Sequence, residues 1–251
     1  MVNSVKKKDF HAIKGEEKPI QEVVKASFER FCEKEDRHRG RDFDIVDSAL
    51  SKVGKLGGVT VVDVGCGAGE YLQHLHEKYP DVSIIGVDFA LGPLKKAQKL
   101  GAGGFDLVRA DALKIPLGDS SASLVTCMNT TLGNVLGAGT DFKSSILNAP
   151  ESRKTVLKEM NRILAPGGYA VISVYERGKE HYMEYGWKIH QDSVPERGDW
   201  RILKERQGLD FYSHWFSAEE LKDLLKSTNF ELVEMRERDS RLIAVARKSG
   251  M

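Results

Sequence analysis

Cysteine is scarce in this sequence: Cys32, Cys66 and Cys127 are its whole complement in 251 residues. Three is odd, no two stand in a CxxC spacing, and none shares a zinc-type interval with a histidine. Neither a disulfide framework nor a metal site is therefore expected. Reduced thiols in a cytoplasmic protein are the reading that follows. No apolar run approaches the ~20 residues of a membrane span. No apolar segment follows Lys6, Lys7 and Lys8, so no secretory leader is expected at the amino end. Neither sign of charge is in excess, with 38 Lys and Arg against 37 Asp and Glu. A net charge of +1 gives no global attraction to nucleic acid or to an anionic membrane, and neither is expected as a partner. Repeats and low-complexity tracts are lacking as well. What is present, 41% hydrophobic and 30% charged residues, is the composition of a globular protein with a sizeable core.

Residues 1–19 are polar and read as a solvated arm ending at Pro19. Ile20, Val23, Val24, Phe28 and Phe31 recur at helical spacing, and Asp42–Lys55 carries a second apolar stripe that Gly57-Gly58 stops. A β-α alternation then begins. Strands are expected at Val59–Val64, Val82–Val87, Phe105–Arg109, Ala122–Met128 and Tyr169–Tyr175. Helices fall at Gly69–Tyr79, Pro93–Leu100 and Ser152–Leu164, the last stopped by Pro166-Gly167-Gly168. Ser217 and Glu220 form a capping-box pattern at the start of a helix to Ser227. Phe230–Arg238 and Arg241–Arg247 close the chain as a hairpin turning at Asp239-Ser240. Such units specify an α/β fold, an open and mostly parallel sheet with helices on both faces.

The strongest local pattern is Val61-Val62-Asp63-Val64-Gly65-Cys66-Gly67-Ala68-Gly69-Glu70-Tyr71. A buried strand runs into glycines that let the backbone approach a ligand, and then into a helix N-terminus. Alone, it reads equally as a plain glycine turn. A dinucleotide fingerprint would be GxGxxG with pyrophosphate on the helix. Here the spacing is Gly65-x-Gly67-x-Gly69 with a carboxylate at Asp63, which suits a ligand bearing an ammonium. S-adenosylmethionine has an ammonium and a sulfonium and no phosphate. Asp88, 25 residues after Asp63 in Gly86-Val87-Asp88-Phe89, is placed to accept from both ribose hydroxyls, or else caps the next helix. Asp111, in Arg109-Ala110-Asp111-Ala112, stands where a carboxylate can accept from the adenine amino group.

The segments VVDVGCGAGEY, VDFA, RADALKIP and LAPGGYAVIS resemble successive motifs of the class I, Rossmann-like S-adenosylmethionine-dependent methyltransferases. The resemblance is strong over about residues 55–176 and extends in outline to residues 217–247. It implies a seven-stranded sheet in the order 3-2-1-4-5-7-6, with the seventh strand antiparallel. It also implies that Asp63, Gly65 and Gly67 meet the methionyl part of S-adenosyl-L-methionine, Asp88 the ribose, and Asp111 and Ala112 the adenine. Cys66 and Phe89 complete the expected cofactor-binding set.

Methyl transfer from a sulfonium needs in-line positioning and exclusion of water more than acid–base groups, so catalytic residues are poorly marked. Cys127–Asn134 follows the fourth strand, where substrate is usually met. It is not the Asn/Asp-Pro-Pro-Tyr/Phe signature of nucleobase enzymes, nor does it bring carboxylates for a magnesium-dependent catechol type. Asn129-Thr130-Thr131-Leu132-Gly133-Asn134 is similar instead to small-molecule N-methyltransferases of the glycine/sarcosine type. Asn129 is read as lying beside the sulfonium or as capping the next turn. Residues 176–216 hold Trp187, Trp200 and Trp215 with Tyr182, Tyr185, Phe211, Tyr212, His181, His190 and His214. This insertion is expected to cap the pocket, its aromatic faces suiting an amine by cation–π attraction or making a small core of their own. Tyr212 and His214 are the candidate substrate contacts, with His214 a candidate base. Arg41 is a candidate partner for the cofactor carboxylate, or an exposed cation. The expected organisation is an arm and helices over residues 1–56 that pack on a methyltransferase domain at 57–251, with the cap at 176–216. The expected activity is methylation of a small molecule, preferably at an amine nitrogen. The alternatives are a protein or RNA methyltransferase and a non-catalytic S-adenosylmethionine-binding subunit.

Overall fold

The computed structural model describes residues 26–27, 42–101, 103–139, 141–179, 188–189, 193–194, 197–204 and 209–250. The arm at residues 1–19, Arg41, and all but two residues of the first expected helix lie outside them.

Helix α1 (Phe43–Val53) buries Ile45, Val46, Ala49 and Leu50, the stripe its sequence spacing sets out, and ends at Gly54. Strand β1 (Thr60–Val64) is buried along nearly its whole length, as a central parallel strand must be. Then follow α2 (Glu70–Lys78), β2 (Ser83–Asp88), α3 (Leu91–Gly101), β3 (Asp106–Arg109) and β4 (Ala122–Cys127). A 3-10 turn (Thr131–Asn134) leads to α4 (Phe142–Ile163) and β5 (Leu164–Tyr175). Beyond lie β6 (Lys188–Ile189), β7 (Asp199–Lys204), β8 (Leu209–His214), α5 (Ala218–Ser227), β9 (Phe230–Arg238) and β10 (Arg241–Lys248).

The main sheet has seven strands in the order β3-β2-β1-β4-β5-β10-β9. Only β10 runs against its neighbours, pairing antiparallel with both β5 and β9. This is the order that the motif series implies. One face packs under α4 and α5 around Val62, Val64, Met160 and Phe216. The other packs under α1, α2 and α3 around Val61, Leu72, Leu124 and Ile243. Among the described residues no helix is long and apolar enough to cross a membrane.

Three expectations need correction. Helix α4 begins at Phe142 rather than Ser152 and carries Pro150 inside it. An interior proline costs a helix about 3 kcal/mol. Here the first turns are held by a reciprocal cap between Asp141 and Ser144, and by Phe142, Ile146 and Ala149 packing on Tyr212. Strand β5 begins at Leu164, five residues before Tyr169, because the chain through Pro166 and Gly168 still lies along the sheet. Residues 176–216, to which the sequence assigns no strand, contain a separate antiparallel sheet in the order β6-β7-β8. Its return joins the main sheet where Glu176 bridges Phe216.

Candidate functional site

The carboxyl ends of β1, β2, β3 and β4 bring the motif residues to one rim. Gly65 and Gly67 both have positive φ, 77° and 54°, which side-chain-bearing residues rarely adopt. A methyl on Gly65 would lie 2.3 Å from Thr131 Cγ2, so the turn after β4 leans on the glycine loop. A methyl on Gly67 would meet nothing within 4 Å, so this is where the loop backbone faces open space. Gly65 and Cys66 donate their amides to the Val87 carbonyl at 2.7 and 3.1 Å, tying the loop to β2. Cys66 is buried against the α1/α2/α3 side.

Asp88 ends β2. Its Oδ2 accepts from the Gly67 amide at 2.9 Å and its Oδ1 from the Ala90 amide at 2.8 Å. Burial raises its carboxyl above the ordinary range, against the hydrogen bonds from Ala90, Gly67 and Phe89. Each oxygen keeps a second lone pair, so two hydroxyl donors can still be accepted. Phe89 follows, its carbonyl accepting from Arg109 Nε at 3.1 Å. Asp111 closes a tight turn after β3, with Oδ1 accepting from Leu113 N at 3.0 Å, and Ala112 is half-buried in that turn.

Asp63 is only 2% exposed and accepts from Thr126 Oγ1 at 2.6 Å. Burial, and less so the charge of Asp88, push its carboxyl up to about 7 against that hydrogen bond. A buried carboxyl poised near neutrality is suited to a cationic partner.

After β4, Asn129 and Thr130 take φ of 51° and 68° in succession. Asparagine tolerates this region, but β-branched threonine pays for it in strain, of a kind that gathers at functional turns. Ser173 holds the pair, its Oγ accepting from Asn129 N at 2.9 Å and its carbonyl from Thr130 N at 3.1 Å. Asn129 thus sits at the sheet's carboxyl end, and its own amide is fixed by β5.

The two cap candidates lie deeper than expected. His214 is 3% exposed, with Nδ1 2.8 Å from Asp199 Oδ1 and Nε2 2.7 Å from Glu220 Oε1. Both ring nitrogens face carboxylates, so neither is left free to meet substrate in this arrangement. Tyr212 donates to Asp199 Oδ1 at 2.6 Å and accepts from Arg153 at 2.9 Å. Arg177 completes the cluster with a 2.6 Å contact to Glu220. Burial would raise Asp199 and Glu220, yet the His214 hydrogen bonds, Tyr212 at Asp199, and the cations around them hold both carboxyls below their ordinary values. The Ser217 capping box is accordingly half made. Ser217 accepts from the Glu220 amide at 3.1 Å, but the Glu220 carboxylate serves His214 and Arg177 instead.

Sequence reasoning missed Thr126, Ser173, Asp199, the pairing of Glu220 with His214, and the ion pair between Asp42 and Arg241. Asp42 is fully buried at the start of α1, and Arg241 of β10 reaches it with both terminal nitrogens. Thr126 and Ser173 are single polar residues inside apolar runs, whereas Asp42, Asp199, Glu220 and Arg241 stand among other polar residues. Alternation would have placed Thr126 and Ser173 on the Asp63 face, but nothing local marks their partners. Among the described residues no group of three or more His, Cys, Asp or Glu could hold a metal ion.

Comparison with known proteins agrees with this fold. A family described as a methyltransferase domain matches residues 61–168, from β1 into β5. The demethylmenaquinone methyltransferase of Lactococcus lactis is 26% identical over 213 residues, covering 78% of this chain and 75% of that one. A SAM-dependent methyltransferase of Methanosarcina mazei superposes with a TM-score of 0.65 at 20% identity, over 82% of this chain and 98% of that one. The 1,6-didemethyltoxoflavin-N1-methyltransferase of Burkholderia thailandensis, solved with its substrate and S-adenosylhomocysteine, gives 0.61 at 17% identity, over 92% and 89%.

Proposed function

The chain is an S-adenosylmethionine-dependent methyltransferase of the class I fold, and on that premise we propose that its acceptor is a small molecule methylated at nitrogen. What carries this reading is the aromatic seam between the sheet and its cap. Trp215 lies 5.0 Å from Trp200 and 6.0 Å from Tyr175, ring centre to ring centre, beside the end of β5. Aromatic faces there suit a flat ring or an amine. The Burkholderia neighbour, whose name specifies a ring nitrogen, supports the choice of atom. A ring carbon is the second reading, favoured by the Lactococcus relative, named for demethylmenaquinone.

In this reading residues 176–216 are the cap and residues 1–56 the opposite wall, Arg41 included. The cofactor lies along the rim, with its ammonium at Asp63 and its chain over Gly65, Cys66 and Gly67. Its ribose meets Asp88 and Phe89, its adenine Asp111 and Ala112, and its sulfonium Asn129. The chain's own groups hold donor and acceptor in line and exclude water. With both His214 nitrogens committed, His214 itself is not free to take a proton from the acceptor. S-adenosylhomocysteine release over a panel of amines, nitrogen heterocycles and quinols tests the proposed acceptor. Turnover of the nitrogen compounds is expected; turnover of quinols alone would move the acceptor atom to carbon.

The Asp63 assignment predicts a pH profile. Asp63 stays largely protonated below about pH 7, and an ammonium beside it favours the carboxylate, so binding should release a proton. Affinity should rise about tenfold per pH unit toward 7, then fall once the cofactor amine loses its own proton near 8. The sign for stability is opposite. A raised folded value makes the cofactor-free protein lose stability as pH climbs from the ordinary carboxyl range to about 7. Calorimetric titration between pH 5.5 and 8.5 checks the profile, and a flat limb below 7 would remove Asp63 from the contact set.

A further inference from the structure

Tyr71 is the second residue of α2, just beyond the glycine loop, and is only 3% exposed. Its ring meets the edge of Phe43 from α1 at 5.0 Å between centres. Its hydroxyl is buried and has no hydrogen-bond partner among the described residues. Such a group is costly to leave unpaired, and a phenylalanine would fill the same space without that cost. A buried phenol with nothing to bond among the described residues points to a partner from beyond them.

The surroundings say what that partner is. Strand alternation puts Asp63 of β1, Thr126 of β4, Ser173 of β5 and Arg241 of β10 on the same face, at their strands' ends on the cofactor rim. Tyr71 lies on this face, where the charges of Asp42, Arg241, Asp63 and Glu70 all reach its hydroxyl. Burial keeps the phenol protonated, so it acts as a donor. The nearby carboxylate of Asp42 is already bonded to Arg241 and faces Arg238 at 3.7 Å. Asp63 accepts from Thr126. An acceptor oxygen from a ligand is what the phenol lacks.

We propose that the Tyr71 hydroxyl is a cofactor contact, donating to the carboxylate of the amino-acid end of S-adenosylmethionine while Asp63 takes the ammonium. This divides recognition of the two charged groups between the end of β1 and the first turn of α2. The proposal rests on the reading above that places the amino-acid end at the glycine loop.

The test is calorimetry on the intact chain with two probes, S-adenosylhomocysteine and 5′-methylthioadenosine, which shares the adenosine and sulfur but lacks the amino-acid end. Tyr71→Phe should weaken S-adenosylhomocysteine about tenfold or more. It should leave methylthioadenosine within twofold and the melting temperature unchanged or higher. No loss on S-adenosylhomocysteine, or equal loss on both probes, overturns the proposal. Asp88→Ala, which removes the ribose acceptor, should weaken both probes. If it weakens neither, the cofactor placement itself fails, whatever Tyr71 does. A third probe keeps the test independent of the variant's folding: decarboxylated S-adenosylhomocysteine should bind the unaltered protein at least tenfold more weakly than the parent compound. Equal binding would overturn the proposal by itself.

Discussion

Asp88→Ala is expected to weaken S-adenosylmethionine binding by roughly 30- to 1,000-fold. Two hydrogen bonds from ribose hydroxyls to a charged acceptor contribute about 2–4 kcal/mol together, and each 1.4 kcal/mol is a factor of ten. The loss has a second source within the chain. Asp88 also accepts from Gly67 and Ala90, so the alanine frees the amide of the glycine that faces open space. Asp88→Asn separates the two. Its remaining carbonyl oxygen can keep one backbone amide, while its amino group turns a donor toward the sugar hydroxyls. It should therefore melt closer to the unaltered protein yet still bind at least tenfold more weakly. Because burial raises the Asp88 carboxyl, removing it need not destabilise the cofactor-free fold. Isothermal titration with thermal melts of both variants decides the matter. Unchanged affinity in Asp88→Ala would take the end of β2 out of the cofactor site.

The parallel half of the fold was legible because its signals are local. Thr60–Val64 is an apolar run too short for a helix, and the glycine spacing behind it admits few geometries. Asp63, Asp88 and Asp111 could be named in advance because each lies within two residues of the end of a strand. Asp239 and Ser240 both adopt positive φ, of 48° and 59°, as a two-residue hairpin of that hand requires. The segment of residues 176–216 was legible only in part. Its aromatics were visible, but Asp199–Lys204 and Leu209–His214 pair with each other rather than with the main sheet. Their alternation is weak, and the register sets Arg201 against Tyr212 and Trp200 against Ser213. The start of α4 was hidden by Pro150, a residue whose penalty a sequence shows and whose compensating contacts with Tyr212 it does not. His214 looked like a base because a histidine's two partners, one 15 residues before it and one 6 after, meet only in space.

Those partners carry the other large expected effect. Asp199→Ala should destabilise the protein by about 3–5 kcal/mol, the range for removing one member of a buried, hydrogen-bonded charge set. Asp199 is 1% exposed and receives both the Tyr212 hydroxyl and His214 Nδ1. Its removal leaves two buried donors and the Arg153 charge behind Tyr212 uncompensated. For a chain of this size the melting temperature should fall by roughly 6–20 °C. The pH dependence has a definite sign. The depressed Asp199 carboxyl stabilises the fold above the ordinary carboxyl range and loses that contribution as pH falls through its lowered value. The unaltered protein should therefore lose stability on acidification more steeply than the variant, and the two melting curves should converge at low pH. The damage should also reach the cofactor rim. A methyl on Gly133 would lie 2.6 Å from the His214 carbonyl, so β8 bears on the turn after β4, and Thr131 of that turn bears on Gly65. Weaker S-adenosylhomocysteine binding by Asp199→Ala, measured well below its own melting point, is the expected sign of that contact path. A melting temperature within 2 °C of the unaltered protein would mean that the cluster contributes no net stability.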